Sequence, residues 1–207
     1  MKDIDLRIYL VTDSTLSLGR PLEWIVEEAV KGGATIVQLR EKDCSTHDFL
    51  ELAIKLREIL HKYNVPLIIN DRVDIALASD ADGVHIGQSD MPYAVVRKIL
   101  GSDKIIGLSV ENMEQAHEAE SLDVDYIAVS PVFSTNTKTD TSDAMGLEGV
   151  KKVASFSKHP IVGIGGMNKD TIKSVIEAGA KGVAIVSAIV SAESPQSATR
   201  QLLNLIK

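Results

Sequence analysis

Three short stretches of this chain gather groups that could handle phosphate: Gln38-Leu39-Arg40-Glu41-Lys42, Asn70-Asp71-Arg72 and Gly87-Gln88-Ser89-Asp90. Each follows an apolar, β-branched run. In an extended chain successive side chains alternate, so Gln38, Arg40 and Lys42 share one face. An amide beside a planar guanidinium fork and a point-charge ammonium makes a phosphate clamp, although a solvated charged turn would have the same wording. Asp71 and Asp90, at the ends of neighbouring strands, would sit close enough to share a cation. Two carboxylates suit a hard, oxygen-loving ion. Mg²⁺ fits best, since it commonly takes one or two protein carboxylates and completes its shell with substrate phosphate and water. Either aspartate could instead cap a helix.

Further along, Ser109 ends another apolar run, and Gly107 leaves room beneath it. Its hydroxyl could donate to phosphate or cap the helix that starts near Asn112. The stretch Ser130-Pro131-Val132-Phe133-Ser134-Thr135-Asn136-Thr137-Lys138 opens the longest loop of the chain. Thr135, Asn136 and Thr137 bring short donors and Lys138 a charge, which fits an anion-binding loop or an ordinary surface loop. Gly165-Gly166 and Val186-Ser187-Ala188 close the last two runs. Glycine lets the main chain approach a phosphate closely. The inventory thus contains two anion sites: Arg40, Lys42 and Lys138 with a metal ion, and Gly166 and Ser187 with the threonine loop.

The elements that must position these groups are β-strands. Eight β-branched runs, at 8–12, 36–40, 67–69, 83–86, 105–109, 126–130, 161–164 and 183–187, are apolar almost throughout. Such runs are expected of parallel strands buried on both faces. Between them apolar residues recur at helical spacing, as in Trp24, Ile25 and Ala29, or Phe49, Leu50, Ala53, Leu56 and Leu60. Trp24 and Phe49 are therefore expected in the barrel–helix core. Ser45 with Asp48 forms a capping box, Asn168 with Asp170 is expected to start a helix, and Gly179 to end it. The alternation predicts an α/β fold, a (β/α)8 TIM barrel in one domain over residues 1–207. An open doubly wound sheet is the other option, but its glycine-rich first turn is replaced by Thr12-Asp13-Ser14. In a barrel, the strand ends named above are the active-site face, and the loops after strands seven and eight commonly hold phosphate.

Composition narrows the function. The 207 residues are 44% hydrophobic and 25% charged, which supports a packed core. Net charge is −7 with only 4% aromatics, so no basic stripe or stacking surface for nucleic acid is expected. Cys44 is the one cysteine, which leaves neither an internal disulfide nor a cysteine zinc site. The longest apolar stretch falls well short of the roughly 18 residues of a membrane span. The chain reads as soluble and cytoplasmic, with no membrane or nucleic-acid partner, and is compatible with a homo-oligomer.

Together these stretches resemble the thiamine-phosphate synthase family over essentially the whole chain. The resemblance is carried by Tyr9-Leu10-Val11-Thr12-Asp13, by the 38–42 stretch, and by Asn70-Asp71-Arg72. It is carried further by Ala81-Asp82-Gly83-Val84-His85-Ile86-Gly87-Gln88, Gly107-Leu108-Ser109, Pro131-Val132-Phe133, Thr135-Asn136-Thr137-Lys138, Gly146-Leu147, Ile164-Gly165-Gly166 and Val186-Ser187-Ala188-Ile189. It implies a (β/α)8 barrel that joins 4-amino-2-methyl-5-pyrimidinylmethyl diphosphate to 4-methyl-5-(2-phosphoethyl)thiazole or its carboxylate, giving thiamine phosphate and diphosphate. It implies that Gln38, Leu39, Arg40, Glu41, Lys42, Asn70, Ser109 and Lys138 surround the pyrimidine diphosphate. Asp71 and Asp90 would hold Mg²⁺. Thr135, Asn136, Thr137, Gly166, Val186 and Ser187 would form the thiazole-phosphate site. Arg40, Lys42, Lys138 and Ser109 are the groups expected to carry catalysis, by a dissociative path in which the C–O bond breaks first.

Two other readings stand beside this one. A thiazole tautomerase would keep the thiazole site and need an acid/base instead of the clamp. A non-catalytic sensor of thiazole phosphate would have no use for the metal site. Cys44 is expected to be idle. His85 is expected to be a packed, hydrogen-bonded histidine rather than a group lining the mouth. His47, His61, His117 and His159 are expected at the surface.

Overall fold

Apolar strands with no polar face must be covered on both sides, and a barrel ringed by helices does this without leaving an edge. The computed structural model describes residues 3–134 and 144–207. Its strands β1 (Ile8–Val11), β2 (Ile36–Leu39), β3 (Leu67–Asn70), β4 (Gly83–Ile86), β5 (Ile105–Val110), β6 (Tyr126–Val129), β7 (Ile161–Ile164) and β8 (Gly182–Ile185) are all parallel and close in sequence order, β8 pairing with β1. The (β/α)8 barrel is thereby observed. Strand limits differ from the sequence expectation by one or two residues at their ends: β1, β2, β6 and β8 stop sooner, β3 and β5 run one residue further, and β8 starts one residue earlier.

Strand alternation divides the apolar side chains into two bodies. Leu10, Val37, Leu39, Leu67, Ile69, Val84 and Ile127 point outward and pack against the helices. Tyr9, Val11, Ile36, Ile68, Ile105, Tyr126, Ala128, Val162 and Ala184 point inward and fill the barrel. The outer body is the larger and is built of helix stripes such as Leu22, Ile25, Val26, Ala29 and Val30 on α1 (Leu22–Gly32). Each such fully buried aliphatic side chain contributes about 1.5–3 kcal/mol by leaving water.

Capping follows the sequence in part. Ser45 caps α2 (Thr46–His61), its Oγ accepting from Asp48 N at 3.1 Å. Asn112 caps α5 (Met113–Ala119) through Gln115 N at 2.9 Å. The helix after β7 begins later than expected, at Ile172. Asn168 instead closes a turn before it, its Oδ1 accepting from Asp170 N at 2.9 Å.

Two core expectations are corrected. Phe49 is buried, but Trp24 is 42% exposed, because it stands one position off the stripe defined by Leu22, Ile25 and Ala29. It lies instead under the Arg20 guanidinium, 5.5 Å from the ring centroid. His159 is buried rather than on the surface, where its Nε2 meets Ala119 O at 3.0 Å. Among the described residues no helix is long and apolar enough to cross a membrane.

Candidate active site

The C-terminal ends of the strands enclose a cavity of about 440 Å³, a size that suits a small organic ligand. Its wall includes Gln38, Arg40, Lys42, Asn70, Asp71, Asp90, Ser109, Gly166, Val186 and Ser187. Ten residues read from strand ends therefore converge on one space. Leu39 and Glu41, the alternate residues of the 38–42 stretch, do not join them. Leu39 is fully buried in the barrel–helix layer. Glu41 turns away to accept from Ser14 Oγ at 2.9 Å, and its second oxygen is buried with no hydrogen-bond partner among the described residues. Thr135, Asn136, Thr137 and Lys138 lie outside the described residues.

The end of β1 aims the clamp. Thr12 N donates to Gln38 O at 2.9 Å, and Arg40 N donates to Thr12 Oγ1 at 3.0 Å, so the main chain stays extended as far as Arg40. Asp13 then faces the Arg40 guanidinium at 3.6 Å. Lys42 reaches across to Asp71, Nζ to Oδ2 2.9 Å. Each cation is held over the cavity by one acid, and an arriving phosphate can compete for it.

Asp71 and Asp90 are neighbours in this wall, and neither caps a helix. Asp71 sits at φ +59° at the mouth of β3, a left-handed conformation that swings its carboxyl out of the strand direction. The Asp90 carboxyl folds back to accept from Gly87 N at 2.7 Å. Burial pushes the Asp90 carboxyl up from the ordinary carboxylate value, and the adjacent Asp71 adds to that push. Two like charges held together on partly buried oxygens invite a cation between them. The donor set of two carboxylates, with room for substrate oxygens, fits Mg²⁺. Among the described residues no group of three or more His, Cys, Asp or Glu forms a metal cluster, so such an ion would depend on non-protein ligands for the rest of its shell.

The floor of the cavity has a different chemistry. Gln38 Nε2 donates to the Tyr9 hydroxyl at 2.8 Å, the Tyr9 and Tyr126 hydroxyls meet at 2.7 Å, and the Tyr126 hydroxyl meets His85 Nδ1 at 3.0 Å. His85 Nε2 meets Ser109 Oγ at 2.9 Å. Burial pushes both phenols above their ordinary range, so both are neutral hydroxyls. His85 is thus both buried and part of the cavity wall, where the sequence pointed to the first role rather than the second. Ser109 does not cap α5; its side chain belongs to this row. Gly107 makes the row possible. A Cβ there would lie 2.6 Å from His85 Nδ1 and would overlap the Tyr126 hydroxyl, so the room expected beneath Ser109 is filled by these two side chains.

The opposite wall is built by glycine. Gly165 and Gly166 have φ +97° and +69°, and Cβ atoms on them would approach Pro131 and Phe133 at 2.7 and 2.8 Å. The pair is therefore required by the packing of the β6 and β7 loops as well as by any close approach to a ligand. Cys44 does not line the cavity. Burial, with Glu41 and Asp48 nearby, raises its thiol above the ordinary value, which keeps it from acting as a thiolate.

A sequence profile described as thiamine monophosphate synthase matches residues 8–189. The chain belongs to the thiamine monophosphate synthase family. With that family it is an enzyme of the transferase class. The thiamine-phosphate synthase of Clostridium novyi (strain NT) is 49% identical over 98% of this chain and 100% of its own length. That of Clostridium acetobutylicum is 48% identical over 100% of this chain and 98% of its own. The solved structure of thiamine phosphate pyrophosphorylase from Pyrococcus furiosus is similar at TM-score 0.89 and 39% identity, covering 98% of this chain and 96% of that one. Orotidine 5'-phosphate decarboxylase from Pyrococcus horikoshii OT3, at TM-score 0.69 and 14% identity, shares the fold alone.

Family motifs point to the strand ends, and sequence reasoning found those. It missed the function of Tyr9 and Tyr126, and the part of Asp13 in holding Arg40. The available signal for the tyrosines was their parity: Tyr9 alternates with Leu10 toward the interior, and a hydroxyl inside a barrel needs a partner.

Proposed function

We propose that this enzyme condenses 4-amino-2-methyl-5-pyrimidinylmethyl diphosphate with 4-methyl-5-(2-phosphoethyl)thiazole or its carboxylate, giving thiamine phosphate and diphosphate, and carbon dioxide as well when the carboxylate is used. The observation that carries the proposal is the juxtaposition, in one cavity, of a cation clamp with paired carboxylates on one wall and a glycine-built loop with Ser187 on another. Two phosphorylated partners need two such places, and a neutral ring between them needs the uncharged floor.

The bond to break is the C–O bond of the pyrimidinylmethyl diphosphate, and its electron pair leaves with the diphosphate. Arg40 and Lys42, which already face the cavity, stabilise that growing charge, and Lys138 is assigned to the same task. Mg²⁺ held by Asp71 and Asp90 would add neutralising charge to the diphosphate oxygens. The amino group of the pyrimidine spreads the positive charge left on carbon. The thiazole nitrogen then forms the new C–N bond with its own lone pair, so no side-chain base is required. Gly166, Val186 and Ser187, with Thr135, Asn136 and Thr137, hold the thiazole phosphate and so place that nitrogen in line. Ser109 and Gln38 hold the pyrimidine at the floor, with Asn70 beside them.

The tautomerase alternative fits less well, because His85 has both ring nitrogens engaged, to Tyr126 and to Ser109. A cytoplasmic workplace is part of the proposal, and a single cysteine is compatible with a reducing compartment. The test is to mix both phosphorylated halves with Mg²⁺ and follow thiamine phosphate and diphosphate together. Equal amounts of the two products are expected, and no product would sink the proposal. Asp71→Ala combined with Asp90→Ala should slow turnover about a hundredfold or more, the usual order for losing a preorganised electrostatic contact. Turnover at the parent rate would remove the carboxylates as ion holders.

A further inference from the structure

Five side chains from five strands form one unbroken row through the barrel interior: Gln38 on β2, Tyr9 on β1, Tyr126 on β6, His85 on β4 and Ser109 on β5. Its two ends are residues that face the cavity, and its middle is buried. Tyr9 and Tyr126 do not come from neighbouring strands, so the row crosses the barrel rather than following the sheet.

The row has a direction, which proton counting gives. A phenol has one proton to donate. Gln38 Nε2 donates to Tyr9, so the Tyr9 proton goes to Tyr126, and the Tyr126 proton goes to His85 Nδ1. Nδ1 is then the acceptor nitrogen of a neutral imidazole, and the ring proton sits on Nε2, where it is donated to Ser109 Oγ. Among the described residues, Ser109 then keeps its own proton to donate, and Gln38, its amide nitrogen committed to Tyr9, keeps its carbonyl oxygen to accept. Reversing any one link would set two protons against each other or leave a buried hydroxyl proton without an acceptor, so the links reverse together or not at all.

We propose that Tyr9, Tyr126 and His85 are positioning residues that act as one directed hydrogen-bond relay, presenting Gln38 as an acceptor and Ser109 as a donor to the pyrimidine. The proposal rests on the reading that the pyrimidine lies on this floor. An aminopyrimidine carries an exocyclic N–H donor and ring-nitrogen acceptors, so an acceptor at one end of the relay and a donor at the other match it in kind. A pyrimidine with an oxo group in place of the amino shows the opposite pair and would be mismatched at both ends. Gly107 keeps the middle of the relay in contact by leaving the space that Tyr126 and His85 occupy.

The direction can be read without substrate, by ¹⁵N resonances of His85 in the free protein. The Nε2–H tautomer is expected, and an Nδ1–H tautomer would overturn the assigned direction. Coupling along the row is tested with Gln38→Glu, whose ionised carboxylate can only accept. With the pH raised until a ¹³C label reports that carboxyl as ionised, Tyr9 must donate toward it, and His85 should switch to the Nδ1–H tautomer three hydrogen bonds away. An ionised carboxylate with His85 unchanged refutes the relay. Function is tested with Tyr126→Phe, which leaves Gln38 and Ser109 in place. A fall in kcat of roughly tenfold or more, with KM for the thiazole phosphate within about twofold of the parent, is expected for loss of the two buried hydrogen bonds of the Tyr126 hydroxyl, to Tyr9 and to His85. Unchanged kcat would show that the row only packs the barrel. Because the tautomer is measured on free protein, its failure is separate from failure of the condensation assay.

Discussion

The rim and the floor of this cavity solve different problems with different chemistry. At the rim Arg40, Lys42, Asp71 and Asp90 are ionisable and at least partly exposed, and the two cations are held by ion pairs, Lys42 to Asp71 at 2.9 Å and Arg40 to the buried Asp13 at 3.6 Å. On the floor Tyr9, Tyr126 and His85 are buried and joined by hydrogen bonds of 2.7 and 3.0 Å. Charges kept near water can exchange partners when an anionic ligand arrives, because screening makes each pair weak on its own. Neutral groups kept away from water must be fully satisfied in advance, which makes them rigid. The proposed condensation, which would expel diphosphate from a carbon attached to a neutral aromatic ring, calls for both kinds of surface in one cavity.

The largest effect that would sharpen this contrast is expected from the rim. Arg40→Ala should lower kcat/KM by about a hundredfold, since it removes a preorganised contact to the leaving group. Its melting temperature should stay near that of the parent, because the Arg40 ion pair is a loose one at 3.6 Å. A large loss of stability with little loss of rate would reverse the roles assigned to rim and floor. The floor should respond in the opposite sense to Gly107→Ala. Overpacking against Tyr126 and His85 is expected to cost about 1–3 kcal/mol of stability, measured by denaturant unfolding. No change in stability would mean that the floor is looser than its distances imply.

A smaller effect is expected at Glu41, just outside the cavity. Burial and the Asp13 carboxylate raise its pKa above the ordinary 4.5. A carboxyl whose folded pKa is raised favours folding when protonated. That contribution is fully present below about pH 4.5, the unfolded value, and is lost as pH rises through the higher folded value. Glu41→Gln should therefore be more stable than the parent at pH 8, with the gap closing toward pH 4. A variant that melts lower at pH 8 would contradict this. The smallest effect belongs to Cys44→Ser, which should leave turnover nearly unchanged in the condensation assay. A loss of several hundredfold without unfolding would implicate a protein nucleophile.

The barrel was legible in the sequence because parallel strands covered on both faces are written as uninterrupted apolar runs, and their polar ends mark the mouth. The same logic placed Gln38, Arg40, Lys42, Asp71, Asp90, Ser109, Gly166 and Ser187 around one cavity. Orientation was less legible than location. Leu39 and Glu41 sit inside the same motif, yet alternation sends them to the helix layer and the outer wall. Trp24 was misplaced because a large apolar residue one step off a helical stripe has the composition of core without its direction. The floor was the least legible part. Tyr9 and Tyr126 are far apart in the chain, and only closure of the barrel brings their hydroxyls to 2.7 Å.

The division of labour between rim and floor is tested most directly by titrating diphosphate with Mg²⁺ into the free proteins by calorimetry. Arg40→Ala should bind it at least about tenfold more weakly than the parent, a loss of roughly 1.4 kcal/mol or more, as expected for a charge-assisted contact. Tyr126→Phe should bind it as the parent does. Equal weakening in both variants, or a larger loss in Tyr126→Phe, would contradict the account.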